Sequence, residues 1–212
     1  MAKKLFVSTK DESPKMFENR FLDFFSRVPY WVPLLIFLPV IGYYAYRAFA
    51  ISDNSILAFS LSVLVGIFIW TIAEYLIHRY IFHGHPKAEW AKKIHYTFHG
   101  IHHDFPQDSL RLVMPPPVSI PLAVIFFWGF YGLMLPLGII EFHSAFFVGF
   151  VGAYLFYDMM HYFSHHGTSK NKYFAMIKEH HMKHHYKEPD AGFGFTSKIW
   201  DRVFKTDFPE EE

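Results

Sequence analysis

The sequence predicts an all-α integral membrane fold, with four transmembrane helices and a cytosolic helical cap that carries a histidine-rich site. Three observations predict it. The 212 residues are 52% hydrophobic and only 18% charged, against roughly 25% charged in an ordinary soluble domain. Four runs, at 31–50, 55–82, 118–138 and 141–163, are long and apolar enough to span a bilayer. Finally, 15 histidines stand beside 26 phenylalanines in a chain without cysteine. The missing cysteine excludes a disulfide scaffold, zinc ribbons, Fe–S clusters and thiol catalysis. A formal net charge of +1 gives no general affinity for nucleic acid.

The elements follow in order. Residues 1–15 are polar and lack the apolar core of a signal peptide. Ser13-Pro14 reads as a helix N-cap with Pro at the first helical position. Phe17, Phe21, Phe24, Phe25 and Val28 then share one face, which predicts an amphipathic helix over 14–28. It lies either in the membrane interface or against the cytosolic cap. The short connection 47–54 makes the first two spans antiparallel neighbours, and a tight turn at Pro136 and Gly138 joins the last two. Both turns fall on one side of the membrane, leaving 1–30, 83–117 and 164–212 on the other. Of 20 Lys and Arg residues, 19 belong to that second side, with Arg47 the exception. By the positive-inside rule it is cytoplasmic, and so are both termini.

Fourteen of the 15 histidines fall on the same side or at the inner ends of the spans, and ten of them form four clusters. These are His78/His83, His99/His102/His103, His161/His165 and His181/His184/His185. On an α-helix, residues three and four apart share a face, so each of the last three clusters is expected to aim its rings at one point. His78 and His83 are about 140° apart at 100° per residue, and converge only if the helix unwinds near Gly84 and Pro86. Ten imidazoles exceed the needs of one ion and fit two metals with four or five ligands each. His85, His143, His166 and His180 read as bystanders, with His180 expected to face solvent. His95, one turn before His99, is expected to act just outside the ligands, together with Glu74, Asp158 and Glu179, orienting imidazoles.

Nitrogen-only ligation suits Zn, Fe, Cu or Ni. Structural zinc closes a tetrahedron and rarely uses ten histidines. A pair of open irons at a membrane boundary activates O2 instead, on a lipid chain entering from the bilayer.

The motifs HRYIFH, HGIHH and HHMKHH together resemble the fatty acid hydroxylase/sterol desaturase superfamily. The stretches DSLRLVMPP, YDMMHY and GFGFTSKIWD, with the opening FLDFFSRVPYWVPLLIFLPV, are similar to the fatty acid 2-hydroxylases of sphingolipid metabolism, over residues 16–208. The resemblance implies that His78, His83, His99, His102, His103, His161, His165, His181, His184 and His185 ligate a dimetal centre. It implies O2-dependent hydroxylation at carbon 2 of a long acyl chain, free or within ceramide. Iron is the expected catalytic metal and zinc the alternative, since zinc has no second redox state. Many members carry a cytochrome b5 domain, which the roughly 30 residues before the first span are expected to lack.

The sequence carries no haem-attachment motif, Gly-rich dinucleotide fingerprint or Fe–S ligand. Electrons are therefore expected from a separate donor, a cytochrome b5-like protein or a ferredoxin with its reductase. Arg111 is expected at headgroup depth, with 109–117 lining the acyl entry. The compartment is the endoplasmic reticulum in a eukaryote or the inner membrane in a bacterium. The competing readings are a sterol desaturase or carotenoid hydroxylase, a membrane metal transporter, and a bis-histidine haem protein.

Overall fold

The computed structural model describes residues 5–209, and every regular element among them is a helix. Four helices are long and apolar enough to cross a membrane: Val32–Ala50, Ile56–Phe82, Pro116–Met134 and Ile140–His166. At 1.5 Å per residue, a 19-residue helix measures about 29 Å, close to the hydrocarbon thickness of a bilayer. The contacts divide the chain into two compact units: 30–70 with 114–156, and 1–29 with 71–113 and 157–212.

The first of these units holds α2 (Val32–Ala50), the opening of α3 (Ile56–Leu76), α6 (Pro116–Met134) and the first half of α7 (His143–His166). Span Ile140–His166 is the most buried: 61% of an 18-residue apolar stretch of it is buried, against 17%, 11% and 6% in the others. Phe146, Phe147, Phe150, Val151 and Tyr154 form the core, where Tyr154 meets Phe37 edge-on at 5.2 Å and Phe150 meets Trp70 at 5.3 Å. Leu57, Leu64, Phe68, Ile125 and Trp128 stay exposed, which a helix tolerates in lipid but not at that density in water.

Helices α3 and α7 cross closely. A Cβ on Gly66 would stand 2.1 Å from the Phe146 carbonyl oxygen, and one on Gly149 would stand 2.1 Å from that of Val63. Small residues at such crossings let backbones touch, which is how helices associate where lipid removes the hydrophobic drive. The two tight turns are tied together by Asn54, whose amide donates to the Glu141 carbonyl at 3.0 Å. The third span begins at Pro116 and stops at Met134, two residues before and four before the expected limits of 118 and 138. Pro at the first helical position fixes the start, and a turn through Gly138 at φ +67° ends it.

The second unit contains α1 (Arg20–Phe25), the end of α3 with its extension Ile77–Phe82, α4 (Glu89–His95) with its extension Tyr96–Gly100, α5 (Ile101–Asp104), the end of α7, α8 (Lys172–Tyr186) and α9 (Ile199–Phe204). The helix expected over 14–28 is confined to Arg20–Phe25. Asn19, not Ser13, caps it, accepting from Phe21 N and Leu22 N at 2.9 and 3.3 Å. Asp23 reaches back to accept from Met16 N and Phe17 N, which holds 14–19 out of helical form. Phe21, Phe24 and Phe25 are exposed as one apolar face, whereas Val28 is buried and bonds Leu110.

Candidate metal centre

Two segments of this second unit widen from α to π geometry where the histidines occur. His83 N donates to the His78 carbonyl at 2.9 Å, a bond from residue i to i+5, so the extension 77–82 turns more slowly than an α-helix. The helix therefore widens near Gly84 rather than unwinding, and His78 and His83 reach one point. Tyr96–Gly100, which carries His99, has the same form.

The ten histidines gather into two groups of five. His78, His83, His99, His103 and His184 form group one, and His102, His161, His165, His181 and His185 form group two. Within each group the ligand nitrogens all lie within 4.8 Å of one another. Neither HxxHH triplet serves a single point, contrary to the expectation from helical spacing. His99 and His103 enter group one while His102 enters group two; His181 and His185 enter group two while His184 enters group one. Adjacent residues diverge by about 100° around a helix, so the i, i+4 pair and the residue between them face two neighbouring points. The groups abut where His103 stacks on His185, with centroids 4.1 Å apart.

The contacts between rings are Nε2 to Nε2. In group one they are His78–His99 at 3.2 Å, His99–His103 at 3.0 Å and His83–His184 at 3.0 Å. In group two they are His102–His161 and His165–His181 at 3.0 Å, and His181–His185 at 3.1 Å. The tautomers decide what these contacts are. Nδ1 of His78, His161 and His184 lies 2.7, 2.7 and 2.8 Å from the carbonyls of Phe193, Leu112 and Ala191. A carbonyl only accepts, so each Nδ1 carries the proton and each Nε2 presents a lone pair. Lone pairs turned toward one point repel unless a cation sits between them. Two nitrogens each about 2.1 Å from one ion stand about 3.0 Å apart at a right angle and about 3.4 Å at the tetrahedral angle. The observed spacings fit the edge of a coordination shell.

Burial agrees. It pushes His103 and His184 down to about 3 and holds His99, His102, His181 and His185 well below the usual imidazole range. Neighbouring rings add to the effect, because a second proton in either group would be repelled. Buried neutral imidazole is the form that binds a metal.

The remaining residues singled out above fall as follows. Glu74 is buried and accepts from Phe195 N at 2.9 Å, Thr196 N at 2.7 Å and Thr196 Oγ1 at 2.5 Å, so it grips the backbone beside the rings. Asp158 is buried one turn before His161. His95 enters neither group. Glu179 turns outward, its side chain 71% exposed and 3.6 Å from Lys183, and so does not orient an imidazole. Arg111 is buried rather than set at a headgroup surface: its guanidinium donates to Asp108 at 3.0 Å and to the Pro14 carbonyl at 2.7 Å. His143 is buried, with Nε2 3.0 Å from the Phe127 carbonyl, and His85 and His166 are exposed.

His180 corrects the expectation of a solvent-facing ring. It is 1% exposed, with Nε2 3.5 Å from Asp201 and its ring against Phe208, because the chain after α8 folds back over that face. Asp201 and the backbone of 191–196 were missed in the sequence. The signal was the Gly192-Phe-Gly-Phe195 spacing, where glycines let a backbone approach other groups closely.

Comparison with known proteins agrees with this centre. The fatty acid hydroxylase family model matches residues 63–206, which include all ten histidines. The chain is 38% identical to the dihydroceramide fatty acyl 2-hydroxylase FAH2 of Arabidopsis thaliana, over 92% of this chain and 80% of that protein. It is 37% identical to the ceramide very long chain fatty acid hydroxylase scs7 of Schizosaccharomyces pombe, over 93% of this chain and 56% of that one. The solved structure of full-length scs7p, in which only the hydroxylase domain is visible, superposes with a TM-score of 0.83 at 34% identity, covering 92% of this chain and 72% of that one. With this match across both histidine groups and four spans, the chain belongs to the fatty acid hydroxylase family.

Proposed function

We propose that this chain uses O2 to place a hydroxyl on carbon 2 of a long-chain fatty acyl group, free or within a ceramide. The observation that carries this reading is the pair of five-imidazole groups, with Nε2 contacts of 3.0–3.2 Å. The activities for which the plant and fission yeast relatives are named, acyl 2-hydroxylation and ceramide hydroxylation, support the carbon and the substrate class. In this reading group one holds one metal and group two the other, and two irons would supply the oxygen activation that redox-inert zinc does not.

The chain's own residues prepare that site. Carbonyls of Leu112, Ala191 and Phe193 hold protons on Nδ1, which keeps the Nε2 lone pairs inward. Burial of eight of the ten rings keeps bulk water from the nitrogens; His83 and His103 are the half-buried ones. Arg111 braces the stretch that leads into the third span against Pro14, and Met114, three residues on, lines a small apolar pocket with Trp70, Leu122, Phe126 and Tyr154. We read that pocket as one wall of the acyl chain's seat.

We place the ten histidines and both termini on the cytosolic side, a reading that the positive-inside bias of the sequence supports. Hydroxylating one C–H bond with O2 consumes two electrons from outside the substrate. We assign them to a cytochrome b5-like or ferredoxin donor drawn to exposed Lys87, Lys92, Lys93, Lys187 and Arg202. Lipid mass spectrometry of a host that lacks 2-hydroxy lipids tests the activity. Expression should add 2-hydroxy acyl chains only in the presence of O2. Products confined to desaturated sterols or hydroxylated carotenoids would contradict it.

A further inference from the structure

The segment 191–196 runs between two buried carboxylates, and its polar backbone atoms are divided between them and the imidazoles. On one side, the Ala191 and Phe193 carbonyls accept from Nδ1 of His184 and His78, both members of group one. On the other, Asp201 Oδ1 accepts from Phe193 N at 2.9 Å and Oδ2 from Gly194 N at 2.8 Å. Asp201 is fully buried. Its carboxylate is braced in turn by Thr206 Oγ1 at 2.9 Å, which lies 2.9 Å from the Tyr75 hydroxyl. The Gly192 N–H donates to the Thr206 carbonyl at 2.8 Å, so the same short return of chain after α9 holds both ends of the turn. The approach leaves no slack, because a Cβ on Gly194 would stand 2.7 Å from Asp201 Oδ2.

Group two has no equivalent. His161 takes the Leu112 carbonyl, but Nδ1 of His102, His165 and His185 has no hydrogen-bond partner among the described residues. The support of the two groups is therefore unequal, and Asp201 holds the peptide that carries one of the two group-one carbonyls.

We propose that Asp201 is a positioning residue for group one: by fixing the Phe193–Gly194 peptide it aims the carbonyl that sets the tautomer and orientation of His78. This rests on the reading that the two groups hold metal. Partners at this remove from a metal typically change affinity 10- to 100-fold when lost. Replacing Asp201 by Asn leaves one acceptor oxygen and turns an N–H₂ toward a backbone N–H, so one of the two peptide contacts is lost.

The test is a Co²⁺ titration of the metal-depleted full chain, followed by its visible absorption bands. The wild type should take up two equivalents. Asp201→Asn should take up one equivalent at wild-type affinity and the other 10- to 100-fold more weakly. Adding His83→Ala, from group one, should leave that strong equivalent in place, whereas adding His165→Ala, from group two, should weaken it. Thr206→Val removes the brace on Asp201 together with the Tyr75 contact, keeps the carbonyl that holds Gly192, and should weaken the same single equivalent to a smaller degree. It carries the test alone if Asp201→Asn does not fold. A general loss of structure would weaken both equivalents alike, and that result, or unchanged affinity in both variants, overturns the proposal. A wild type that binds no Co²⁺ overturns the metal reading together with it; two wild-type equivalents and an indifferent Asp201 overturn the positioning role alone.

Discussion

His83 closes a five-residue turn onto His78, its N–H donating to the His78 carbonyl at 2.9 Å, and both rings enter the same group of five. Five residues are about 140° apart on an α-helix, so the pair meets only because the turn widens to π form. Protein chains rarely keep such a turn without a use for it. Here it brings two imidazoles from the end of a span into one group of five.

Glu74→Leu should destabilise the protein without removing any histidine. The carboxylate accepts three hydrogen bonds from Phe195 and Thr196; a leucine offers no acceptor and leaves the two backbone N–H groups unpaired. A buried donor left unsatisfied costs about 1–3 kcal/mol. A thermal scan in detergent should show Tm falling by on the order of 2–4 °C for each kcal/mol lost. An unchanged Tm would mean that the grip on 195–196 is not needed.

Gly149→Ala should loosen the α3–α7 crossing, since its Cβ would meet the Val63 carbonyl at 2.1 Å. Overpacking of this kind costs about 1–3 kcal/mol. Gly132→Ala in α6, with nothing within 4 Å, is the control and should match or exceed wild-type stability. Equal effects of the two changes would contradict the close crossing.

Much of this was legible in the sequence, and the reasons differ from element to element. Span length and charge bias exposed the four helices, because lipid imposes a length that soluble folds do not. Eight of the ten histidines were legible because their spacing is helical; His78 and His83, five apart, needed a distortion that the sequence showed only as Gly84 and Pro86 nearby. The split of each HxxHH between two groups was not, since it depends on which two points the facing helices supply. The tail helix over 14–28 was overread: amphipathic spacing was present, but Asp23 bonded back to Met16 and Phe17 and shortened it. Asp201 and His180 escaped because their contacts depend on how α9 and the chain on either side of it fold back, which no local spacing encodes.

Acid should destabilise the metal-free protein. Burial holds His103 and His184 near 3 in the folded chain, against 6.5 for an ordinary imidazole. Between those values the unfolded chain binds more protons, so their contribution is complete above about pH 6.5 and is lost as pH falls toward 3. The Tm of the chelated protein should be level from pH 7 to 8 and fall steadily below 6.5. A Tm that rose on acidification from pH 7 to 5 would reverse the sign and contradict neutral burial.

The central claim is that neighbouring histidines serve different metals, and metal retained against a competing chelator tests it most directly. The wild type should keep two equivalents. The double variant His165→Ala/His181→Ala, both from group two, should keep one. The double variant His102→Ala/His103→Ala, adjacent residues from the two groups, should surrender both, while His143→Ala keeps both. If the adjacent pair instead kept one equivalent, or the group-two pair lost both, the two-group architecture would be wrong.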